Sequence, residues 1–200
     1  MGTAADRTSV WLASKPAAPS RRRSELPAGL DRERITTAAV RLLDTEGLAG
    51  FSMRRLAGRL GVTAMSLYWY VDTKDDLLEL ALDAALGEFP LPPENAGHWS
   101  DRLRALACGH RRLLAAHPWL PALSAEYPNI GPHARAFDSA LMRVLAATGL
   151  TAPARTGAHL AVSRFLHGCG TARQAPEGDF HFALDVLVAG IEAHAAPAVP

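Results

Sequence analysis

The spacing of the apolar residues is the feature that most constrains the fold of this 200-residue chain. From Asp31 onward, apolar side chains recur every three or four residues, and no run alternates apolar and polar residues over a useful length. A spacing of three to four places apolar side chains on one stripe of a helix, whereas a half-buried strand needs a spacing of two. The sequence therefore predicts an all-α fold.

Capping residues and glycines set the ends of the predicted helices. Ser52 and Thr63 can each accept a hydrogen bond from the first turn of a helix, and Gly61 suits the left-handed conformation that often ends one. The predicted helices run from Asp31 to the glycines at 47 and 50, from Met53 to Leu60, from Ala64 to about Val71, from Lys74 to about Leu86, from Trp99 to Ala116, from Pro132 to Thr148, from Ala152 to Cys169, and from Asp179 to His194.

Changes in composition divide the chain into three predicted parts. Residues 1–29 contain three prolines and no helical period, so we predict a flexible N-terminal arm. The arginine cluster Arg21–Arg23 in this arm either contacts DNA or belongs to a solvated tail. Prolines at positions 90, 92 and 93 mark a second boundary, which gives helical domains over residues 30–88 and 89–200.

Charge is distributed unevenly along the chain. Residues 1–74 carry 12 Lys and Arg against 7 acidic residues, whereas residues 75–200 carry 9 Arg against 13 acidic residues. A basic first part on an acidic remainder is typical of a protein that binds a polyanion through its first part. A coincidental scatter of surface charge would give the same counts.

Composition and motifs exclude several classes of protein. The two cysteines, each alone among apolar neighbours, argue against a disulfide framework and a four-ligand zinc site and suit a reducing cytoplasm. We find no bilayer-spanning apolar stretch and expect no signal peptide. No nucleophile elbow, phosphate-binding loop, dinucleotide fingerprint or metal-hydrolase motif occurs, so we predict a protein that is not an enzyme and uses no cofactor or metal.

A glycine-centred turn joins two short predicted helices between Ser52 and Tyr70. This arrangement is typical of a DNA-binding helix pair, in which the second helix enters the major groove. On that second helix, four residues offer hydroxyl, indole and flat apolar groups to phosphates or thymine methyls, namely Ser66, Tyr68, Trp69 and Tyr70. The aromatic residues could equally pack in a core, because many helical pairs share this spacing.

Several short motifs occur together in this region. They are Ala38-Ala39, Leu42-Leu43, Gly47, Ser52-Met53-Arg54-Arg55-Leu56-Ala57, Leu60-Gly61-Val62, Leu67-Tyr68-Trp69-Tyr70-Val71, and Lys74 with Leu77-Leu78. On these motifs, residues 31–86 resemble the DNA-binding domain of the tetracycline-repressor (TetR) family. The resemblance implies phosphate contacts from Tyr68, Trp69 and Lys74, and base reading by Arg54 and residues 64–66. The full set of predicted DNA-binding residues is Arg54, Thr63, Ala64, Met65, Ser66, Tyr68, Trp69, Tyr70 and Lys74.

A weaker resemblance, over about residues 98–194, is to the ligand-binding and dimerisation domain of the same family. It rests on His98-Trp99, His117-Pro118-Trp119-Leu120, Ala147-Thr148-Gly149-Leu150, and Phe180 with Leu184-Asp185 and Ala189-Gly190. The resemblance implies a four-helix dimer interface made by the last two long helices of each subunit. The predicted interface residues are Leu160, Phe165, Phe180, Leu184, Leu187, Val188 and Ile191. The last helix has apolar residues around most of its circumference, so it would be buried on two sides. A dimer interface would bury it in this way, and so would a fully internal position in a monomer.

The same resemblance implies a ligand pocket among the middle helices. The candidate pocket residues are Leu106, His110, Ser124 and Tyr127, and each of them could instead belong to an ordinary core. The histidine that would ligate magnesium in the tetracycline repressor is missing from this sequence. We therefore expect an effector other than magnesium-tetracycline.

Together, these features predict a homodimeric, sequence-specific DNA-binding transcriptional regulator that a small-molecule effector releases from its operator. Most members of the family are repressors. Two alternatives stay open: a regulator controlled by a protein partner, and a DNA-binding module without an effector.

Overall fold

A computed structural model describes residues 9–12, 30–95, 97–171 and 176–195. The predicted N-terminal arm, including Arg21–Arg23, lies outside these residues except for Ser9–Leu12. Every regular element in the described ranges is a helix, which confirms the predicted fold class. The helices are α1 (Arg32–Gly50), α2 (Met53–Leu60), α3 (Ala64–Leu67), α4 (Lys74–Gly87), α5 (Trp99–Ala116), α6 (Leu120–Glu126), α7 (Pro132–Ala146), α8 (Ala152–Thr171) and α9 (Glu177–Ala195). In this part of the chain, none of them is long and apolar enough to cross a membrane.

The helices form two compact units. Unit 1 comprises Met1–Gly87 and His117–His133, and unit 2 comprises Glu88–Ala116 and Ala134–Pro200. The sequence predicts one boundary between the two helical domains, at residue 88. The structure differs from this prediction in one respect. Residues 117–133, which contain α6, fold with the first unit instead of the second.

Local signals position the helices of unit 1 as the sequence predicts. The side chains of Asp31, Ser52 and Thr63 accept hydrogen bonds from the first turns of α1, α2 and α3. Gly61 ends α2 with a φ of 69°, a left-handed conformation that costs glycine little. The core below these helices is apolar and includes Ile35, Leu42, Leu56, Leu67, Leu77 and Ala81.

Helix α1 ends at the two predicted glycines, whereas α3 is shorter than predicted. The helical conformation of α1 breaks at Gly47, where φ is 67°, before the helix ends at Gly50. The regular part of α3 stops at Leu67 instead of extending to about residue 71. The backbone N–H groups of Tyr68 and Tyr70 bond to carbonyls three residues earlier, so the chain tightens after Leu67 into turns.

A carboxylate on α1 holds the start of the segment 117–133. Asp44 Oδ1 accepts hydrogen bonds from Nδ1 of His117 at 2.7 Å and from Nε1 of Trp119 at 2.6 Å. Both donor side chains are buried. A buried N–H group needs an acceptor, and Asp44 supplies one for two such groups at once.

Two carboxylates on α4 hold the rest of this segment. The Tyr127 hydroxyl donates to Asp75 Oδ1 at 2.8 Å, and the backbone N–H of His133 donates to Asp83 Oδ2 at 3.3 Å. A Cβ atom at Gly131 would lie 2.2 Å from the Asp83 carboxylate, so only glycine permits this close approach. Together with Asp44, these contacts explain why residues 117–133 belong to unit 1.

Unit 2 has one core that draws on four helices. Within it, α5 packs against α8 and α9, and α8 packs against α9. The core includes Leu103 and Leu106 of α5, Leu141 and Leu145 of α7, Val162 and Leu166 of α8, and Phe180, Leu184, Val188 and Ile191 of α9.

Candidate nucleic-acid interface

Helix α3 and the turn that follows it present an exposed apolar and aromatic surface. Met65 is 69% exposed, Tyr68 42% and Trp69 45%, whereas Leu67 between them is fully buried. The buried Leu67 anchors α3 to the core and directs its neighbours outward. Large apolar side chains are costly to leave in water, so a surface of this kind marks a binding site. We call Met65, Tyr68 and Trp69 the α3 surface.

The N-terminus of α3 carries two hydroxyl groups that bond to each other. Thr63 Oγ1 lies 2.9 Å from Ser66 Oγ and accepts the backbone N–H of Ser66 at 3.2 Å. Thr63 is exposed, and Ala64 and Ser66 are half-buried. This arrangement fixes the first turn of α3 while a hydroxyl group stays at its surface.

Tyr70 has a different environment from Tyr68 and Trp69. Its hydroxyl oxygen is buried, and no hydrogen-bond partner for it occurs among the residues that the structure describes. This burial, with a smaller contribution from the charge of Asp31, raises the pKa of the Tyr70 hydroxyl. Its backbone carbonyl accepts hydrogen bonds from the Arg32 guanidinium at 3.1 and 3.3 Å. The Tyr70 hydroxyl therefore does not belong to the α3 surface.

Lys74 is exposed at the start of α4 and is held in place by Phe51. Its Nζ donates to the Phe51 carbonyl at 3.3 Å and lies 5.5 Å from the centre of the Phe51 ring. The preceding Thr73 and the following Asp76 exchange hydrogen bonds of 3.0 and 3.1 Å in the predicted capping box. The lysine charge is thus positioned beside the junction of α1 and α2.

The three arginines of α2 fall into two groups. Arg55 and Arg59 both form ion pairs with Glu46, and the hydrogen bond from Arg55 is the largest cause of the lowered pKa of that carboxyl. Arg54 is exposed, and it forms no ion pair within the described part of the chain. Its charge is therefore available to an external anion. Arg55 and Arg59 lie one helical turn apart on the same side of α2, and this spacing could have indicated that they share an acidic partner.

Two of the predicted pocket residues lie on α5 in unit 2. Leu106 is fully buried in the core. His110 is half-buried, its ring centre lies 5.4 Å from that of Phe137, and its Nδ1 has no hydrogen-bond partner among the described residues. Burial, with a smaller contribution from His167, lowers the pKa of His110 to about 4. The imidazole is therefore neutral near pH 7.

The other two predicted pocket residues lie in unit 1. Tyr127 is buried, with its hydroxyl group on Asp75. Ser124 is half-buried, and its carbonyl accepts a hydrogen bond from the Asn129 side chain at 3.3 Å. The structure thus does not place the four candidates in one unit. Among the described residues, no group of three His, Cys, Asp or Glu side chains could hold a metal ion.

Helices α8 and α9 of unit 2 present a second exposed apolar surface. Leu160 is 57% exposed, Phe182 73% and Val186 55%. Beside them runs an apolar groove of about 360 Å³, lined by Leu150, Ala154, Gly157, Ala158, Ala161, Val186, Leu187, Gly190, Ile191 and His194.

The predicted interface residues divide between this surface and the interior. Phe180, Leu184, Val188 and Ile191 are buried in the core of unit 2, and the half-buried Phe165 stacks on Phe180. The four buried residues of α9 form its inward stripe, because a helix that is apolar on two sides packs one side against its own core. Leu160 and the half-buried Leu187 are the predicted residues on the outer side.

Both parts of the chain match known families. Residues 35–81 match the family described as "Bacterial regulatory proteins, tetR family", and residues 91–179 match "Tetracyclin repressor-like, C-terminal domain". An HTH-type transcriptional regulator of Saccharopolyspora erythraea is 45% identical over 139 residues, which are 70% of this chain and 59% of that protein. The tetracycline repressor protein class C of Escherichia coli is 34% identical over 152 residues, which are 75% of this chain and 69% of that protein.

Solved structures show the same fold. ActR of Streptomyces coelicolor, crystallised with (S)-DNPA, has a TM-score of 0.71 at 25% identity, over 84% of this chain and 100% of that one. BioQ, crystallised with its double-stranded DNA operator, has a TM-score of 0.71 at 28% identity, over 82% of this chain and 99% of that one. On its two family matches and on its identity to the tetracycline repressor, this chain belongs to the TetR family of transcriptional regulators.

Proposed function

We propose that this protein binds a specific operator through α2 and α3 of two subunits and releases it when a small molecule binds to unit 2. The observation that carries the proposal is the α3 surface of Met65, Tyr68 and Trp69 beside the exposed cation Arg54. The operator-bound structure of BioQ supports the same use of this fold. Such a protein acts in the cytoplasm, where its DNA is.

The chemistry of the interface assigns different tasks to its residues. Arg54 can donate two hydrogen bonds to a guanine or a phosphate. The Tyr68 hydroxyl, the Trp69 indole and the Lys74 ammonium are suited to phosphate oxygens. Met65 and the half-buried Ala64 offer apolar contacts, which in the major groove favour thymine methyl groups.

The outer surface of α8 and α9 is suited to a second copy of the chain. Gly157 and Gly190 have open space where a side chain would stand, so the backbones of two further helices can approach closely there. Exposed Leu160, Phe182 and Val186 flank the groove and are removed from water when it is covered. A dimer also places two α3 helices on one operator, as a pseudo-palindromic site requires.

His110 is the residue of unit 2 that we assign to effector binding. A neutral imidazole offers one donor and one acceptor, and the buried Nδ1 of His110 meets no protein group in the described residues. The adjacent Phe137 ring supplies apolar surface. The site therefore fits an uncharged, largely aromatic molecule with a hydroxyl or carbonyl group, and not magnesium-tetracycline.

Fluorescence anisotropy on DNA from around the protein's own gene, beside a shuffled control and over a salt series, tests this proposal. We expect binding at least about a thousandfold tighter than to the control. Arg54→Gln should reduce this preference by about five- to a hundredfold, because one bidentate base contact contributes about 1–3 kcal/mol. Tyr68→Ala should weaken binding to both DNAs, because it removes a phosphate contact. Arg135→Gln, which removes an exposed charge from α7, should change neither. Equal and steeply salt-dependent binding to both DNAs would refute sequence-specific binding at this site.

A further inference from the structure

A short segment far upstream of α1 is fixed to α4. Ser9–Leu12 forms a turn closed by a hydrogen bond from the Leu12 N–H to the Ser9 carbonyl at 2.9 Å. Val10 and Trp11 are half-buried, and Ser9 is only 3% exposed. We call Ser9–Leu12 the strap.

The Ser9 hydroxyl makes the connection between the strap and α4. It donates to Glu79 Oε2 at 2.5 Å and accepts the backbone N–H of Trp11 at 3.3 Å. The hydroxyl therefore uses its donor on α4 and an acceptor position on its own turn. Replacing Ser9 with a residue whose side chain has no hydrogen-bond donor would break the hydrogen bond to Glu79.

Glu79 is a carboxylate that needs such a donor. It is only 4% exposed, and a buried carboxylate without hydrogen bonds is costly. One turn further along α4, the equally buried Asp83 accepts the His133 N–H. Glu79 and Asp83 thus accept hydrogen bonds from two different parts of unit 1, namely the strap and the segment 117–133.

We propose that the strap is a releasable element of unit 1, and that the charge at position 9 controls its docking on α4. The Glu79 site accepts a neutral hydroxyl group and disfavours an anion, because two like charges repel each other strongly where water is excluded. An anionic group at position 9 would therefore expel the strap and leave Glu79 exposed to water. The docking of the strap concerns α4 itself and does not depend on the proposed DNA or effector binding.

The test uses full-length protein labelled with 5-fluorotryptophan. The ¹⁹F resonance of Trp11 is identified by its loss in Trp11→Phe, and hydrogen exchange is followed in the peptides that cover α4. We expect Ser9→Asp to move the Trp11 resonance to its position in a peptide of residues 1–20. Exchange in α4 should become about three- to tenfold faster, the range expected for the net effect of one hydrogen bond.

Three further variants make the test specific. Ser9→Thr keeps the hydroxyl group and should keep both the resonance and the protection of α4. Ser9→Asp combined with Glu79→Gln replaces the repulsion with an amide donor and should restore docking. Thr37→Asp adds the same charge at an exposed position of α1 and should change neither readout. A Trp11 resonance that stays at its wild-type position in Ser9→Asp, or moves equally in Ser9→Thr, would overturn the proposal even if the double variant did not fold.

Discussion

Asp44 accepts a hydrogen bond from Nε1 of Trp119 at 2.6 Å, across 75 positions of the sequence. The same oxygen accepts the His117 imidazole at 2.7 Å. The first helix of the DNA-binding unit is therefore bonded to a segment that the sequence predicts to belong to the other domain. This relationship makes Asp44 a test of whether residues 117–133 stabilise unit 1.

Asp44→Ala should lower the free energy of unfolding by about 2–3 kcal/mol, because it leaves two buried N–H groups without an acceptor. Asp44→Asn keeps one acceptor oxygen and should cost less. Asp138→Ala is the matched control, since Asp138 also bonds a histidine at 2.7 Å but is itself 61% exposed. Its effect should stay below about 1 kcal/mol. Urea unfolding followed by circular dichroism measures all three, and equal losses for the two alanine variants would contradict this account.

Tyr127→Phe separates a structural role from a ligand-binding role. Loss of the bond to Asp75 should destabilise the protein by about 1 kcal/mol while leaving effector affinity unchanged. Tyr68→Phe removes a hydroxyl from an exposed tyrosine and should leave stability unaltered. Thermal unfolding and isothermal titration with an effector give the two readouts. A tenfold loss of effector affinity in Tyr127→Phe, with unchanged stability, would instead return Tyr127 to the pocket.

His110 should make stability depend on pH. Its pKa is lowered from 6.5 to about 4, so between these values the unfolded chain binds a proton that the folded chain does not. The stability that comes from the neutral imidazole is therefore fully present above pH 6.5 and is lost as the pH falls toward 4. The free energy of unfolding should drop by roughly 1.4 kcal/mol for each pH unit between the two values.

His110→Gln should flatten this dependence, whereas His181→Gln at an exposed position of α9 should retain it. Urea unfolding at pH values from 7.5 to 4.5 provides the comparison. Parallel curves for wild type and His110→Gln would show that His110 has the same pKa in the folded and unfolded chains.

Gly190→Leu tests the dimer surface without disturbing the fold. No atom lies within 4 Å of a Cβ placed at Gly190, so a side chain can start there without a clash inside the subunit. It should nevertheless block the approach of a second chain and produce monomers of wild-type helix content. Gly58→Leu, which also meets open space but lies on α2, should stay dimeric. Light scattering after size exclusion decides, and a dimeric Gly190→Leu would place the interface elsewhere.

The sequence predicts most of unit 1 because its signals are local. Ser52, Thr63 and Gly61 act within a few residues of the ends that they set, and the 3–4 spacing identifies the long helices. The exposed positions of Tyr68 and Trp69 also agree with their expected use. Tyr70 does not, because the burial of its hydroxyl depends on how α3 packs and not on its position in the motif.

The sequence does not reveal contacts that join distant segments. Helix α6 has only seven residues, too few for a clear period, and it lies in unit 1 through Asp44, Asp75 and Asp83. The contact between Ser9 and Glu79 spans 70 positions. No local pattern in the sequence identifies the position of α6 or the contact between Ser9 and Glu79. The sequence predicts a dimer interface on the inward stripe of α9, because it does not show that the core of unit 2 covers this stripe.

Because residues 117–133 fold with unit 1, hybrids between this protein and its relatives cannot be made by a single exchange of the two domains. A hybrid joined at residue 88 would carry a foreign segment against α1 and α4, so Asp44, Asp75 and Asp83 would face donors for which they are not matched. Engineers who exchange sensing units within the family would need to graft four pieces instead of two.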